Sequence, residues 1–148
     1  MEGKQFELGR VFMGHFNHHD DIIPTLNQYC LDNKIILAQV WIIGQLSQLS
    51  LASYDLDKKE KHKSDYNETL SILSCYGNIS LRDGLPYSHM HGVFSSLSAK
   101  TLGGHVEEGS HIVSGEFMIQ ELIGDPLIRE LDDHTGLHTW SFHKDITD

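Results

Sequence analysis

Apolar and polar residues alternate in short runs along most of the chain, and only one stretch repeats with helical spacing. Residues 6–13 place Phe6, Leu8, Arg10 and Phe12 on one face of a first strand, which Gly14 ends. After the polar segment 15–20, a helix is expected from about residue 21 to 33. Asp20 and Asp21 stand at its start, Pro24 falls in the first turn, Ile22, Leu26 and Cys30 recur at i, i+4, and Asn33 is the C-terminal cap. Residues 35–43 are apolar almost throughout, as in a strand buried on both faces. Gly44 then marks a bend or bulge before a more polar strand over 46–54.

Residues 66–81 are again extended, with Leu70, Ile72, Ser74 and Tyr76 on one face, Thr69, Ser71, Leu73 and Cys75 on the other, and an interruption at Gly77-Asn78. The turn signal Arg82-Asp83-Gly84 leads into an antiparallel strand over 87–95. Residues 111–123 alternate once more until Gly124-Asp125-Pro126. The tail carries Leu127, Ile128 and Leu131, a turn at Thr135-Gly136 and a last strand over 137–142. Many strands with one helix define an α+β class, an antiparallel sheet of mixed strand order, with residues 1–148 read as one domain.

Composition narrows the function classes. A chain of 148 residues that is 39% hydrophobic can bury a real core. Its strongest apolar run, 35–43, is broken by Gln39 and is far too short to span a membrane. The first residues lack the basic start and apolar stretch of a signal peptide, so a cytoplasmic location without membrane partners is expected. Cys30 and Cys75 form no CxxC pair and read as reduced, buried side chains. The net charge of −10, from 21 acidic against 11 basic residues, opposes unaided binding to DNA. Lys58, Lys59, Lys61 and Lys63 cluster, but Asp55, Asp57, Glu60 and Asp65 surround them, which reads as a solvated hairpin loop. The spacings of a phosphate-binding loop, a dinucleotide fingerprint and a serine-hydrolase elbow are all missing.

What stands out is histidine, with 11 residues, and above all where they lie. Alternation along the 87–95 strand projects His89 and His91 side by side, and Tyr87 shares their face as a core residue or a wall of the pocket. Gly103 and Gly104 allow a sharp or left-handed turn that would bring His105 back to the pair as a third nitrogen ligand. Three neutral imidazoles would leave a zinc ion doubly positive with a fourth position for water. Cobalt, nickel and copper accept the same donors. Candidate bases for that water are Glu107, Glu108 and Glu116. Glu116 is expected either to orient a ligand from behind or to pair with a cation such as Arg129. The cupin pattern is excluded because 92–96 holds no glutamate, and the histidine-triad hydrolase pattern because Val93 stands where a third alternating histidine belongs. His15, His18 and His19 precede the helix in a polar loop and read as solvated, while His111, His134, His138 and His143 read as surface or turn residues.

The order Ile42-Ile43-Gly44, Ser74-Cys75-Tyr76-Gly77-Asn78-Ile79, Asp83-Gly84-Leu85-Pro86, His89-Met90-His91, Gly103-Gly104-His105 and Thr135-Gly136-Leu137 resembles the plant and prokaryote conserved (PPC) domain family over nearly the whole chain. The resemblance implies a homotrimer of compact antiparallel α+β domains, with the histidines at 89, 91 and 105 gathered around a metal, often zinc. It also implies a DNA-binding or regulatory role, carried in plant relatives by an AT-hook. No Arg-Gly-Arg-Pro hook occurs in this chain, and His15 stands where the family has an acidic residue after the first-strand glycine. Two readings follow: a metal-binding, DNA-associated or regulatory module, or a small zinc-dependent enzyme acting on a small molecule.

Overall fold

The computed structural model describes residues 1–142, so the expectation for His143 lies outside the described residues. In chain order the elements are β1 (Glu7–His15), α1 (Ile22–Asp32), β2 (Ala38–Asp55), β3 (Glu60–Tyr66), β4 (Leu70–Arg82), β5 (Leu85–Ser96), β6 (Thr101–Val106), β7 (His111–Ile123), β8 (Ile128–Leu131) and β9 (His138–Ser141). The 18-residue β2 is the spine. Its first half lies between β7 and β4, and its second half meets β3 and β6. Because β4 also pairs with β5 and β5 with β6, the path from β2 through β4, β5 and β6 returns to β2 and closes a ring. β1 extends the sheet beyond β7. β8 touches β4 in parallel through Leu81 and Ile128, and β9 pairs with β8.

The inside of this ring is a continuous apolar core. Val40, Ile42, Leu46, Leu70, Ile72, Cys75, Ile79, Met90, Phe94 and Ile119 meet there, and α1 adds Ile22, Leu26 and Cys30 from the face that its spacing foretold. Both cysteines are free, and burial pushes their thiols up to about 12, leaving them as inert packing groups. No helix among the described residues is long and apolar enough to cross a membrane.

Several expectations need correction. Residues 35–37 precede the strand, and β2 is buried on one face only: Val40 and Ile42 point inward, while Gln39, Trp41 and Ile43 are exposed. The predicted bulge at Gly44 is present, as a register shift against β4 between Ile42 and Gly44. A second bulge, between Ile72 and Ser74, exchanges the faces of β4, so that Leu70, Ile72 and Cys75 are buried and Leu73 turns outward. Gly77 and Asn78 do not interrupt β4. Glycine is needed there because a Cβ at residue 77 would overlap the carbonyl oxygen of His89 on the adjacent strand. Asp21 occupies the N-cap of α1 but makes no side-chain cap bond. Its Oδ2 accepts from the Gly109 N–H at 2.7 Å, and the Asp20 carboxylate accepts from Asn17 N–H, so neither caps the helix. The tail forms a β8–β9 hairpin where only one strand was expected. Lys61 and Lys63 lie in β3 rather than in a loop.

The turn between β4 and β5 fits its sequence. Arg82 pairs with Leu85 across Asp83 and Gly84, both with positive φ (53° and 78°), the two-residue primed turn that Asp-Gly favours. The two glycines therefore serve different ends and should respond differently to alanine. Gly84→Ala meets no neighbouring atom and should cost about 1 kcal/mol from backbone strain alone. Gly77→Ala forces β4 and β5 apart and should cost about 3 kcal/mol, an order to be read from urea denaturation midpoints.

Candidate metal centre

Strand period and register build this site. Met90, Phe94 and their neighbours fill the core, so His89 and His91 stand on the opposite, outer face of β5. On β6, His105 is the direct cross-strand partner of His91. Gly103 and Gly104 lie inside β6, paired with Val93 and Gly92, and make no turn. The chain reverses earlier, between residues 96 and 101, where Ala99 has positive φ. The third histidine is thus delivered by register, which corrects the turn expected at the glycines. At Gly103 the missing side chain matters because a Cβ would lie 3.2 Å from the Gly92 carbonyl oxygen.

The three rings form an almost equilateral triangle, with centroid separations of 5.1, 5.0 and 5.2 Å. One ring nitrogen from each falls within 4.8 Å of the others, the one such group among the described residues. The Nε2 atoms of His89 and His91 are 3.1 Å apart. Two nitrogens at zinc-bond length in a tetrahedron are separated by roughly 3.3 Å, so the pair already has nearly the spacing of ligands to one ion. Burial, with smaller contributions from Arg129, His105 and His91, pushes the His89 pKa down to about 4. Burial also lowers His105, against the opposing pull of Glu107. Neutral imidazole with a free lone pair is the form a metal requires.

Glu107 bonds to the cluster through His105. Its Oε1 lies 3.0 Å from His105 Nε2, and its Oε2 is 2.6 Å from Lys61 Nζ. A carboxylate in that position orients an imidazole and sets its tautomer. Of the three glutamates considered from sequence, this is the one that reaches the histidines. Glu116 is exposed on β7, between His15 of β1 and Ile43 of β2, and forms no part of the cavity wall. Arg129 instead binds Ser80, Asn78 and the His138 carbonyl.

A cavity of about 890 Å³ opens beside the histidines. Tyr87 lines it, as does Glu107, and the β8–β9 hairpin folds across to contribute Arg129, His138 and Trp140. The surface reading for His138 is thereby corrected. Arg129 and Trp140 were not distinguishable from sequence as site residues, because nothing local shows that the tail returns to β4. The hairpin tip is fastened to the β2–β3 end by Tyr54 Oη donating to the Thr135 carbonyl at 3.1 Å and Lys59 Nζ donating to the Asp133 carbonyl at 2.8 Å. His15, His18 and His19 do not assemble. The His18 and His19 rings lie 3.8 Å apart, tilted by 47°, but His15 and His18 direct Nδ1 at backbone carbonyls.

A ring of antiparallel strands carrying three convergent imidazoles on its outer face defines a small domain with a histidine group that could hold a metal ion. The chain belongs to the Plants and Prokaryotes Conserved (PCC) domain family, whose model matches residues 3–123. It is similar to the metal-containing protein AF0104 from Archaeoglobus fulgidus, with 28% identity, a TM-score of 0.90 and coverage of 95% of this chain and 99% of that one. It is also similar to a plant- and prokaryote-conserved protein from Pyrococcus horikoshii, with 26% identity, a TM-score of 0.90 and coverage of 97% and 99%. A candidate DNA-binding protein from Bacteroides thetaiotaomicron shares the fold at 22% identity, with a TM-score of 0.84 and coverage of 94% and 99%. No curated protein sequence matches the chain.

Proposed function

We propose that this protein is a divalent transition-metal-binding domain with His89, His91 and His105 as its protein ligands. The observation that carries this reading is the convergence of three ring nitrogens within 4.8 Å, on neighbouring strands whose register pairs His91 with His105. Imidazole donors suit zinc and its late first-row neighbours far better than calcium or magnesium. Zinc held by three neutral ligands keeps a fourth position and supplies Lewis-acid or water-activating chemistry there. The adjoining cavity favours use of that position by a small molecule, the setting that a zinc-dependent enzyme also needs. The name of the Archaeoglobus relative, a metal-containing protein, agrees with this reading.

Assembly as a homotrimer belongs to the same proposal. Cross-strand pairing sets Met13, Met118, Trp41, Tyr76 and His91 in one row on the outer face, and Met13, Trp41 and Tyr76 are exposed there. Ile43, Leu73 and Val93 widen that apolar surface, which association between copies would cover. A DNA-associated role is the weaker reading. It comes from the family resemblance and from the name of the Bacteroides protein, and the net charge of −10 opposes it. The four clustered lysines each have a partner within the chain: Lys58 has Asp55, Lys61 Glu107, Lys63 Asp65 and the Glu108 carbonyl, and Lys59 the hairpin tip.

Elemental analysis of protein purified without a metal-affinity step should find about one zinc or related ion per chain, lost in the His89→Ala/His91→Ala double variant. Glu107→Gln should keep the ion but weaken its binding roughly 10- to 100-fold in competition with a chelator. Native protein free of metal would sink the proposal. Light scattering should give three times the chain mass; a monomer would remove the trimer. Gel-shift titration with duplex DNA at low salt should show no complex, and a salt-sensitive shift there would revive the DNA reading.

A further inference from the structure

We propose that the cavity beside the three histidines receives a small organic carboxylate, which pairs with Arg129 and presents a second oxygen to the metal position. The inference rests on the metal reading above for that second contact and on Arg129 for the first. Arg129 is only 8% exposed, yet all its hydrogen-bond partners among the described residues are uncharged. Its Nε donates to Ser80 Oγ at 2.9 Å, Nη1 to the His138 carbonyl at 3.2 Å and Nη2 to Asn78 Oδ1 at 2.8 Å. Among the described residues three of five guanidinium N–H groups are used, no carboxylate pairs with the guanidinium, and its positive charge is met by the faces of Tyr87 and Trp140, at 5.8 and 5.3 Å.

A buried cation without an anion is an unfinished interaction. The rest of the wall does not finish it. Arg82 also lies over the Tyr87 ring, at 5.3 Å, with its Nε 3.8 Å from Asp83, and Glu107 is already committed to Lys61 and His105. Among the described residues the cavity wall holds three cations, Lys61, Arg82 and Arg129, and of these Arg129 alone lacks a carboxylate partner.

The form of the anion follows from the donors. Two remaining N–H groups on a planar fork suit the two oxygens of a carboxylate, and Tyr87, Trp140 and Leu137 supply apolar wall for a carbon skeleton. Asn78, which holds Arg129, is the cross-strand partner of His89, so the guanidinium anchor and the metal ligands occupy neighbouring positions on one face. Short hydroxy or keto acids, with a second oxygen next to the carboxylate, are the class that can engage both. Arg129, His138 and Trp140 all lie beyond residue 123, where the family match ends, which makes the β8–β9 hairpin the specificity-bearing part of the site.

The test begins with metal content and then titrates lactate, lactamide and inorganic phosphate into the metal-loaded protein. Trp140 fluorescence is followed in a Trp41→Phe background, which leaves one tryptophan. Lactate should saturate the signal, and uncharged lactamide should bind at least ~10-fold more weakly. Arg129→Lys keeps the charge but not the fork, and should weaken lactate roughly tenfold with metal content unchanged. Equal binding of lactamide, tighter binding of phosphate than of lactate, or no lactate binding by fully loaded protein would overturn the carboxylate site while leaving the metal reading intact. Protein that takes up no metal would overturn the metal reading instead. Lactate binding to that protein, lost in Arg129→Lys, would still support the Arg129 site.

Discussion

The pairing of His91 with His105 across β5 and β6 is the constraint on which the site depends. Side chains on a strand alternate with period two, so a one-residue slip in this short pairing would turn His105 toward the core and leave the outer face with two imidazoles. Register is held from both sides. The Asp83-Gly84 turn fixes β5 against β4, and Val106 and His105 pair with Leu51 and Ala52 of β2 where the ring closes. Ring closure and site assembly are therefore one event, because the strand that completes the sheet also delivers the third histidine.

Placing the histidines outside the ring has a structural consequence. The core is filled by Met90, Phe94, Ile42 and Cys75, whereas the outer face lies open to whatever the chain lays across it. The β8–β9 hairpin is laid there, joined to β4 by one parallel pairing, by the bond from Leu81 N–H to the Leu127 carbonyl and by the side-chain bonds of Arg129 and Trp140 to Asn78 and Ser80, and fastened at its tip by Tyr54 and Lys59. Core stability and cavity shape are thus separable. The ring supplies the three imidazoles, and a peripheral hairpin supplies one wall of the cavity beside them.

Much of this was legible in the chain, and the limits were physical. Strict alternation from Tyr87 to Val93 was enough to place His89 and His91 on one face, and the i, i+4 spacing of Ile22, Leu26 and Cys30 marked the buried side of the helix. Glycine was harder to read. Gly103 and Gly104 carry the same signal whether they turn a chain or let strands approach closely, and here they sit within a strand. The bulge at Leu73 inverted the faces of β4 because a one-residue insertion leaves the local apolar pattern unchanged. Trp41 and Ile43 read as core because an apolar outer face has the same sequence pattern as one covered by the chain's own elements. Arg129 was beyond local inference altogether: its neighbours Asn78 and Ser80 are about fifty residues away, and only the tertiary fold brings them together.

The electrostatics of the cavity bind these observations together. Neutral imidazoles can hold a cation, but Arg129, Arg82 and Lys61 set positive charge around them, and Arg129 is among the influences that lower His89 and His105. A divalent ion entering this cluster meets repulsion as well as lone pairs, and Glu107, shared with Lys61, offsets only part of it. An anion seated on Arg129 would remove that repulsion and gain the attraction of the ion. By linkage, the ion would raise the affinity for the anion by the same factor. Each ligand would therefore strengthen the binding of the other, which is what a site that uses its metal to hold a small acid would require.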